Sequence, residues 1–162
     1  CSPAATPAVT PSTQADEVIT ALADAQPAMN RVHAGALPKV EVFKSPGCGC
    51  CGGWVDHLRQ AGFAVDLHET EALEPLRKQL GVPYGKGSCH TARVDGYVIE
   101  GHVPAADIQR LLAERPNVRG LVLPGMPIGS PGMEAPDAHV QAYTVERVEH
   151  DGSTRAWAVH DR

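Results

Sequence analysis

The clearest hydrophobic patterning begins at residue 39. Lys39 to Phe43, KVEVF, alternates polar and apolar positions and is rich in β-branched residues, which predicts a strand with one covered face. Beyond SPGCGCCGG the period changes: Trp54, Val55, Leu58 and Ala61 share one helical face, and Gly62 closes that helix. Phe63 to Leu67, FAVDL, predicts a second strand, and a strand, helix and strand of this length form a right-handed parallel crossover. Thr70 stands where it can cap the next helix, with Leu73, Leu76 and Leu80 facing inward and Glu71 and Glu74 near its positive end; Gly81 and Pro83 end it. In TARVDGYVIEG, Asp95-Gly96 between two β-rich runs signals a tight hairpin. Pro104 opens a third helix with Ile108, Leu111 and Leu112 as its core face, and Pro116 lies just past its end.

The predicted order is β-α-β-α-β-β-α over residues 37–117, which is the thioredoxin-like order and gives an α/β fold class. Residues 1–36 are predicted as a tether. CSPAATPAVTPSTQA is uncharged, small and proline-rich, so it cannot offset its ordering entropy, and Val18, Ile19 and Leu22 suggest a short helix that Pro27 stops. Residues 118–162 are an addition: a Gly/Pro loop, LPGMPIGSPGM, then two β-rich runs, Tyr143 to Glu149 and Thr154 to His160, joined across Asp151-Gly152 as a C-terminal hairpin packed on the same domain.

Charge narrows the function classes. With 14 Lys and Arg against 19 Asp and Glu, a formal charge of -5 and no basic run, the chain has no electrostatic footprint for nucleic acid. The most apolar stretch, Gly120 to Gly129, carries two prolines and falls far short of the roughly 20 residues a spanning helix needs. A first residue of Cys followed by a flexible linker looks like a mature lipoprotein. The expectation is a lipid anchor on Cys1 as the one membrane link, in the periplasm or outer cell envelope.

The chemistry is in the cysteines. Cys48 and Cys51 form a Cys-x-x-Cys at the mouth of a helix, where free N–H groups and the helix dipole favour thiolate. That alone suggests a thiol–disulfide oxidoreductase with Cys48 attacking and Cys51 resolving. Two features shift the weight toward a metal. Cys50 adds a third sulfur in the same turn, and Ser88-Cys89-His90-Thr91 stands where thioredoxin-like enzymes carry a cis-proline, so Cys89 should aim its sulfur at the other three. Four thiols so close together surround one ion poorly, but thiolates bridge, which suits a small multinuclear cluster. Soft sulfur selects Cu(I) over zinc, although four cysteines are also a common zinc set, and one or two disulfides would use the same residues.

Further candidate ligands are His102, next to the predicted Cys-x-x-Cys edge, and Met126, a thioether in the Gly/Pro loop. Met133, Met29, His33 and His90 are weaker; His90 should point away from Cys89, because neighbours on a strand face opposite sides. His57 and His68 read as surface positions, and His139, His150 and His160 belong to the added tail. Trp54 reads as packing beneath the cysteines.

The blocks KVEVFKSPGCGCCGGWVDHLRQAGF, LGVPYGKGSCHTARVDGYVIEGHVPAADI and GLVLPGMPIGSPGME, in this order, resemble the CopG-type copper-resistance proteins over about residues 37 to 134. The resemblance implies an exported, thioredoxin-like protein in which Cys48, Cys50, Cys51 and Cys89 bind copper in a cysteine-bridged cluster, with Cu(I) and Cu(II) interconverted. The expected partners are copper ions, other envelope copper-handling proteins and an electron partner. No residue is assigned a catalytic role, since sequestration and catalytic oxidation would use the same ligands.

Overall fold

The computed structural model describes residues 36–161. The predicted tether, its short helix, Cys1, Met29 and His33 lie outside them. Along the described chain run β1 (Val40–Lys44), α1 (Cys50–Gln60), β2 (Val65–Glu69), α2 (Leu73–Leu80), β3 (His90–Val94), β4 (Tyr97–Glu100), α3 (Ala105–Glu114), β5 (Gly120–Val122), β6 (Tyr143–Val148) and β7 (Thr154–His160). The strands form one sheet in the order β2-β1-β3-β4-β5-β6-β7.

Up to α3 the element order is the predicted one. β1 and β2 pair in parallel across α1, with Val40 opposite Val65, while β3 runs antiparallel to β1, with Val42 opposite Ala92. Asp95 and Gly96 turn the β3–β4 hairpin with φ of 46° and 86°, the pair of positive values that a two-residue turn of this hand requires. Every residue of β4 and β5 is buried, as expected for strands covered on both faces, whereas β2 at the sheet edge has no fully buried residue.

Four expectations need correction. The second strand starts at Val65, because Phe63 is spent as a core side chain before the strand begins. Thr70 does not cap α2: its Oγ1 accepts from the Ala72 amide at 3.1 Å, one step ahead of the helix. Leu73, Leu76 and Leu80 are only half-buried, and the buried residue of α2 is Arg77. Finally, Gly120–Val122, assigned above to a loop, is a strand. It pairs in parallel with β4 and antiparallel with β6, so the C-terminal hairpin continues the main sheet by hydrogen bonds rather than resting on it.

The core joins Trp54, Val55 and Leu58 of α1 to Val40, Val42, Ala92, Ile99, Ile108, Leu111, Leu121 and Val145, which puts α1, α3 and strands from β1 to β6 other than β2 in one cluster. Trp54 is fully buried and its indole N–H donates to the Val103 carbonyl at 2.8 Å, so the largest core side chain leaves no polar atom stranded. This residue sits one turn after the cysteines and fixes where α1 begins.

Candidate metal centre

The cysteine loop leaves β1 at Lys44 and enters α1 at Cys50. No side chain caps that helix start: Gly49 is the N-cap. No capping side chain therefore competes at its first amides, an arrangement that favours negative charge there. Cys51, at the second helical position, is fully buried; Cys48 and Cys50 are half-buried.

Cys48 and Cys51 are joined by a disulfide, and Cys50 and Cys89 are free. Adjacent residues at a helix start point in different directions, and of the three cysteines in this loop Cys48 and Cys51, the Cys-x-x-Cys pair, fall on one side of the turn. All four sulfurs nevertheless lie within 4.8 Å of one another. Cys50 Sγ is 3.6 Å from Cys48 Sγ and 3.8 Å from Cys89 Sγ, and Cys51 Sγ is 3.8 Å from the Cys89 carbonyl oxygen. Cys89 thus aims at the loop as its position before β3 suggested. Burial first, and then the neighbouring Cys50, push the Cys89 thiol up to about 12. It needs a metal, or another strong partner, to exist as thiolate.

The two further ligands named from the sequence are both brought to this place. Met126 Sδ lies 4.0 Å from Cys50 Sγ. His102 is fully buried with Nε2 2.9 Å from Cys89 Sγ, while its Nδ1–H donates to the Pro131 carbonyl at 2.7 Å. That second bond fixes the tautomer, leaving the Nε2 lone pair toward the sulfur. Burial holds the His102 ring below the usual imidazole range, so it is neutral. The 2.9 Å separation is shorter than the roughly 3.5 Å spanned by a sulfur and a nitrogen on one tetrahedral ion. It is a thiol-to-imidazole hydrogen bond.

His90 is the residue that strand alternation misplaced. Cys89 lies before the pleat of β3 begins, so the opposite-face rule does not apply to the pair, and the His90 ring turns inward. It is fully buried, with Nδ1 3.2 Å from Cys89 Sγ, its centroid 4.3 Å from that of Trp54 and 4.9 Å from that of His102. Burial, with His102 beside it, lowers its pKa to about 3, and its Nε2 has no hydrogen-bond partner among the described residues.

Beneath Cys89 lies a set of polar contacts that the sequence reading missed. Glu100 is fully buried at the end of β4; it accepts from Arg77 Nε at 2.8 Å, the Ser88 amide at 2.7 Å and Thr91 Oγ1 at 2.5 Å. The Arg77 guanidinium also donates to the Ser88 carbonyl. Both backbone groups of Ser88 are therefore held by one ion pair, and the next residue is Cys89. The available signal was a glutamate ending an apolar strand, YVIE, and an arginine among leucines.

The Gly/Pro loop is built onto this centre. Ser88 Oγ donates to the Gly125 carbonyl at 2.6 Å, next to Met126, and Gly129, Ser130 and Met133 bond within the loop. Gly132 has φ of 84°, and a Cβ there would lie 2.6 Å from the Trp54 amide nitrogen and 2.8 Å from the Cys50 carbonyl oxygen. Glycine lets the loop press directly on the start of α1. Met133 is half-buried in that loop, and of the two loop methionines it is Met126 that reaches a cysteine sulfur.

The remaining histidines have other tasks. His57, expected at the surface, is half-buried: Nε2 accepts from the Ala105 amide at 3.0 Å and so caps α3, and burial lowers its pKa. His68 is exposed and stacks on Phe43 at 5.1 Å. His139 is exposed, His150 pairs with Asn117, and His160 bonds Asp107 at 2.7 Å.

Comparison with known proteins bears on this geometry. Two solved structures, Copper resistance protein CopG in Form 1 and Form 2, are 42% and 43% identical to the chain. Each superposes with a TM-score of 0.73; they cover 78% and 76% of this chain, and 99% and 98% of their own. The chain belongs to the CopG copper-resistance family. The family described as a protein of unknown function, DUF411, matches residues 86–133, the span of this CopG member from Lys86 through Cys89 and His102 to Met133. No curated protein matches.

Proposed function

We propose that this CopG-family protein binds copper as its cargo, holding Cu(I) on Cys48, Cys50, Cys51 and Cys89 in a cysteine-bridged multinuclear cluster when all four are reduced. One observation carries the reading: four cysteine sulfurs within 4.8 Å of one another, reached by a methionine thioether. Sulfur donors without a converging carboxylate suit soft Cu(I) and are unsuited to hard cations, and three of the four come from one turn rather than from the two separated pairs usual for zinc. Met126 flanks the sulfurs at the exposed side, and His102 Nε2 accepts from the Cys89 thiol while that thiol is protonated.

The same reading takes the fold as thioredoxin-like with a C-terminal sheet extension, supported by the β2-β1-β3-β4 order around an antiparallel β3. It assigns the protein to the cell envelope and includes interconversion of Cu(I) and Cu(II) with a separate electron partner. The Cys48–Cys51 disulfide is what thiol–disulfide exchange would also require. That second reading leaves Cys50, Cys89 and Met126 without a task, and the copper reading employs all of them.

The test is the metal content of protein purified anaerobically with reductant, copper and zinc being quantified beside free thiols, for the parent and for Cys89→Ser. The reading expects more than one copper per chain with thiols masked, and a loss in the variant. Metal-free protein unable to take up Cu(I) would overturn it.

A further inference from the structure

The four cysteines occupy two chemical states at once. Cys48 and Cys51 share their sulfurs in a disulfide, so neither can act as a thiolate, while Cys50 and Cys89 remain free thiols 3.8 Å apart. Two thiolates on one ion, with bonds of about 2.3 Å at a tetrahedral angle, stand about 3.8 Å apart. The pair needs no rearrangement to share an ion. Met126 Sδ, 4.0 Å from Cys50, offers a third sulfur at nearly the same span. Two of the three positions are held from outside the disulfide loop: Cys89 follows the Ser88 backbone pinned by Arg77 and Glu100, and Met126 follows Gly125, which is tied to Ser88 Oγ.

Resting on the copper reading above, we propose that the oxidation state of Cys48 and Cys51 sets how much copper the site holds. The reduced form holds several ions, and the disulfide form holds one Cu(I) on Cys50, Cys89 and Met126. The step that converts them balances with copper itself as oxidant. Two Cu(II) ions each take one electron from the copper-bound Cys48/Cys51 thiolates, whose protons left when they took up metal; the S–S bond forms and two Cu(I) ions result. Ions that had relied on Cys48 and Cys51 lose those ligands in the same step and leave the site. Refilling needs an external dithiol, which breaks the S–S bond by exchange and is itself oxidised to a disulfide. Thiol oxidation then becomes a release step for Cu(I), and the residual ion keeps the centre assembled between cycles.

The test is an anaerobic Cu(I) titration against a competing chromogenic chelator on two preparations of the full chain. One is fully reduced; the other carries the Cys48–Cys51 disulfide, verified by peptide mapping with Cys50 and Cys89 alkylated as free thiols in a parallel sample. The expected result is more than one Cu(I) per reduced chain and one per disulfide chain. The Cys48→Ser, Cys51→Ser double variant, which cannot make the disulfide, should take one Cu(I) with or without reductant. Met126→Leu should weaken that single site by at least the roughly tenfold that even outer partners of a metal contribute. A disulfide form that takes no Cu(I), or as much as the reduced form, overturns the inference while leaving the copper reading in place. Failure of both preparations to bind Cu(I) overturns the copper reading itself.

Discussion

The sheet has two unlike ends. At the cysteine end, backbone loops are held by buried polar side chains from distant positions: Glu100 and Arg77 on Ser88, His102 on Pro131, Trp54 on Val103. At the other end, β6 and β7 form a hairpin with a bulge between Val145 and Glu146, whose charged pairs, such as Arg147 with Glu149, are at least partly exposed, and which buries Val145, Val148 and Trp157. The hairpin supplies area and hydrogen bonds to the sheet. The cysteine end spends stability on buried polar groups, an expense that makes physical sense only if the positions of a few donor atoms matter.

The sharpest way to separate the two ends is to cut one donor. Cys89→Ser should remove most of the Cu(I) capacity of the reduced protein, read by chelator competition, while shifting the thermal midpoint by only a few degrees, since the hydroxyl keeps the side chain's size. A next, more costly change attacks the support. Glu100→Ala leaves Arg77 with Glu74 and the Ser88 carbonyl but strands the Ser88 amide and the Thr91 hydroxyl, which should cost about 1–3 kcal/mol in a urea titration and loosen Cys89 as well. At the opposite end, Trp157→Ala removes a nearly buried ring under the Arg110 guanidinium, 4.1 Å from its centroid. It should cost about 3 kcal/mol and leave Cu(I) stoichiometry unchanged. A coupled loss of copper in that variant would show the two ends to be one functional unit.

The smallest effect lies where the ends meet. Lys86, in the loop before Cys89, bonds Glu146 of β6 at 2.7 Å. Burial raises the Glu146 pKa, but the Lys86 ammonium and the Thr154 hydroxyl outweigh it, and the net value is below 4.5. A depressed carboxylate contributes stability that is present above its unfolded value and is lost as the pH falls through the folded one. Comparing Lys86→Met with the parent should therefore show a difference of less than about 1 kcal/mol at neutral pH that fades as the pH falls below the ordinary glutamate range.

The hairpins at Asp95-Gly96 and Asp151-Gly152 and the faces of α1 and α3 were legible because each rests on neighbours in sequence. So was the convergence of Cys48, Cys50, Cys51 and Cys89, since a helix start and the residue before an adjacent strand meet in any fold of this order. β5 was hidden because Gly120-Leu121-Val122 is short and followed by proline, and its strand identity comes from the partners on both sides. The inward turn of His90 and the burial of Arg77 were hidden for a related reason. Their environments are made by Trp54 and Glu100, residues far away in sequence. The Cys48–Cys51 pair, by contrast, was legible in its Cys-x-x-Cys spacing.

The central claim is that copper is bridged by these cysteines. X-ray absorption at the copper edge, on fully reduced protein loaded with Cu(I), tests it most directly. The account predicts a first shell dominated by sulfur together with a short copper–copper vector, both lost in Cys89→Ser. A shell of nitrogen and oxygen, or sulfur with no copper neighbour at full loading, would contradict it.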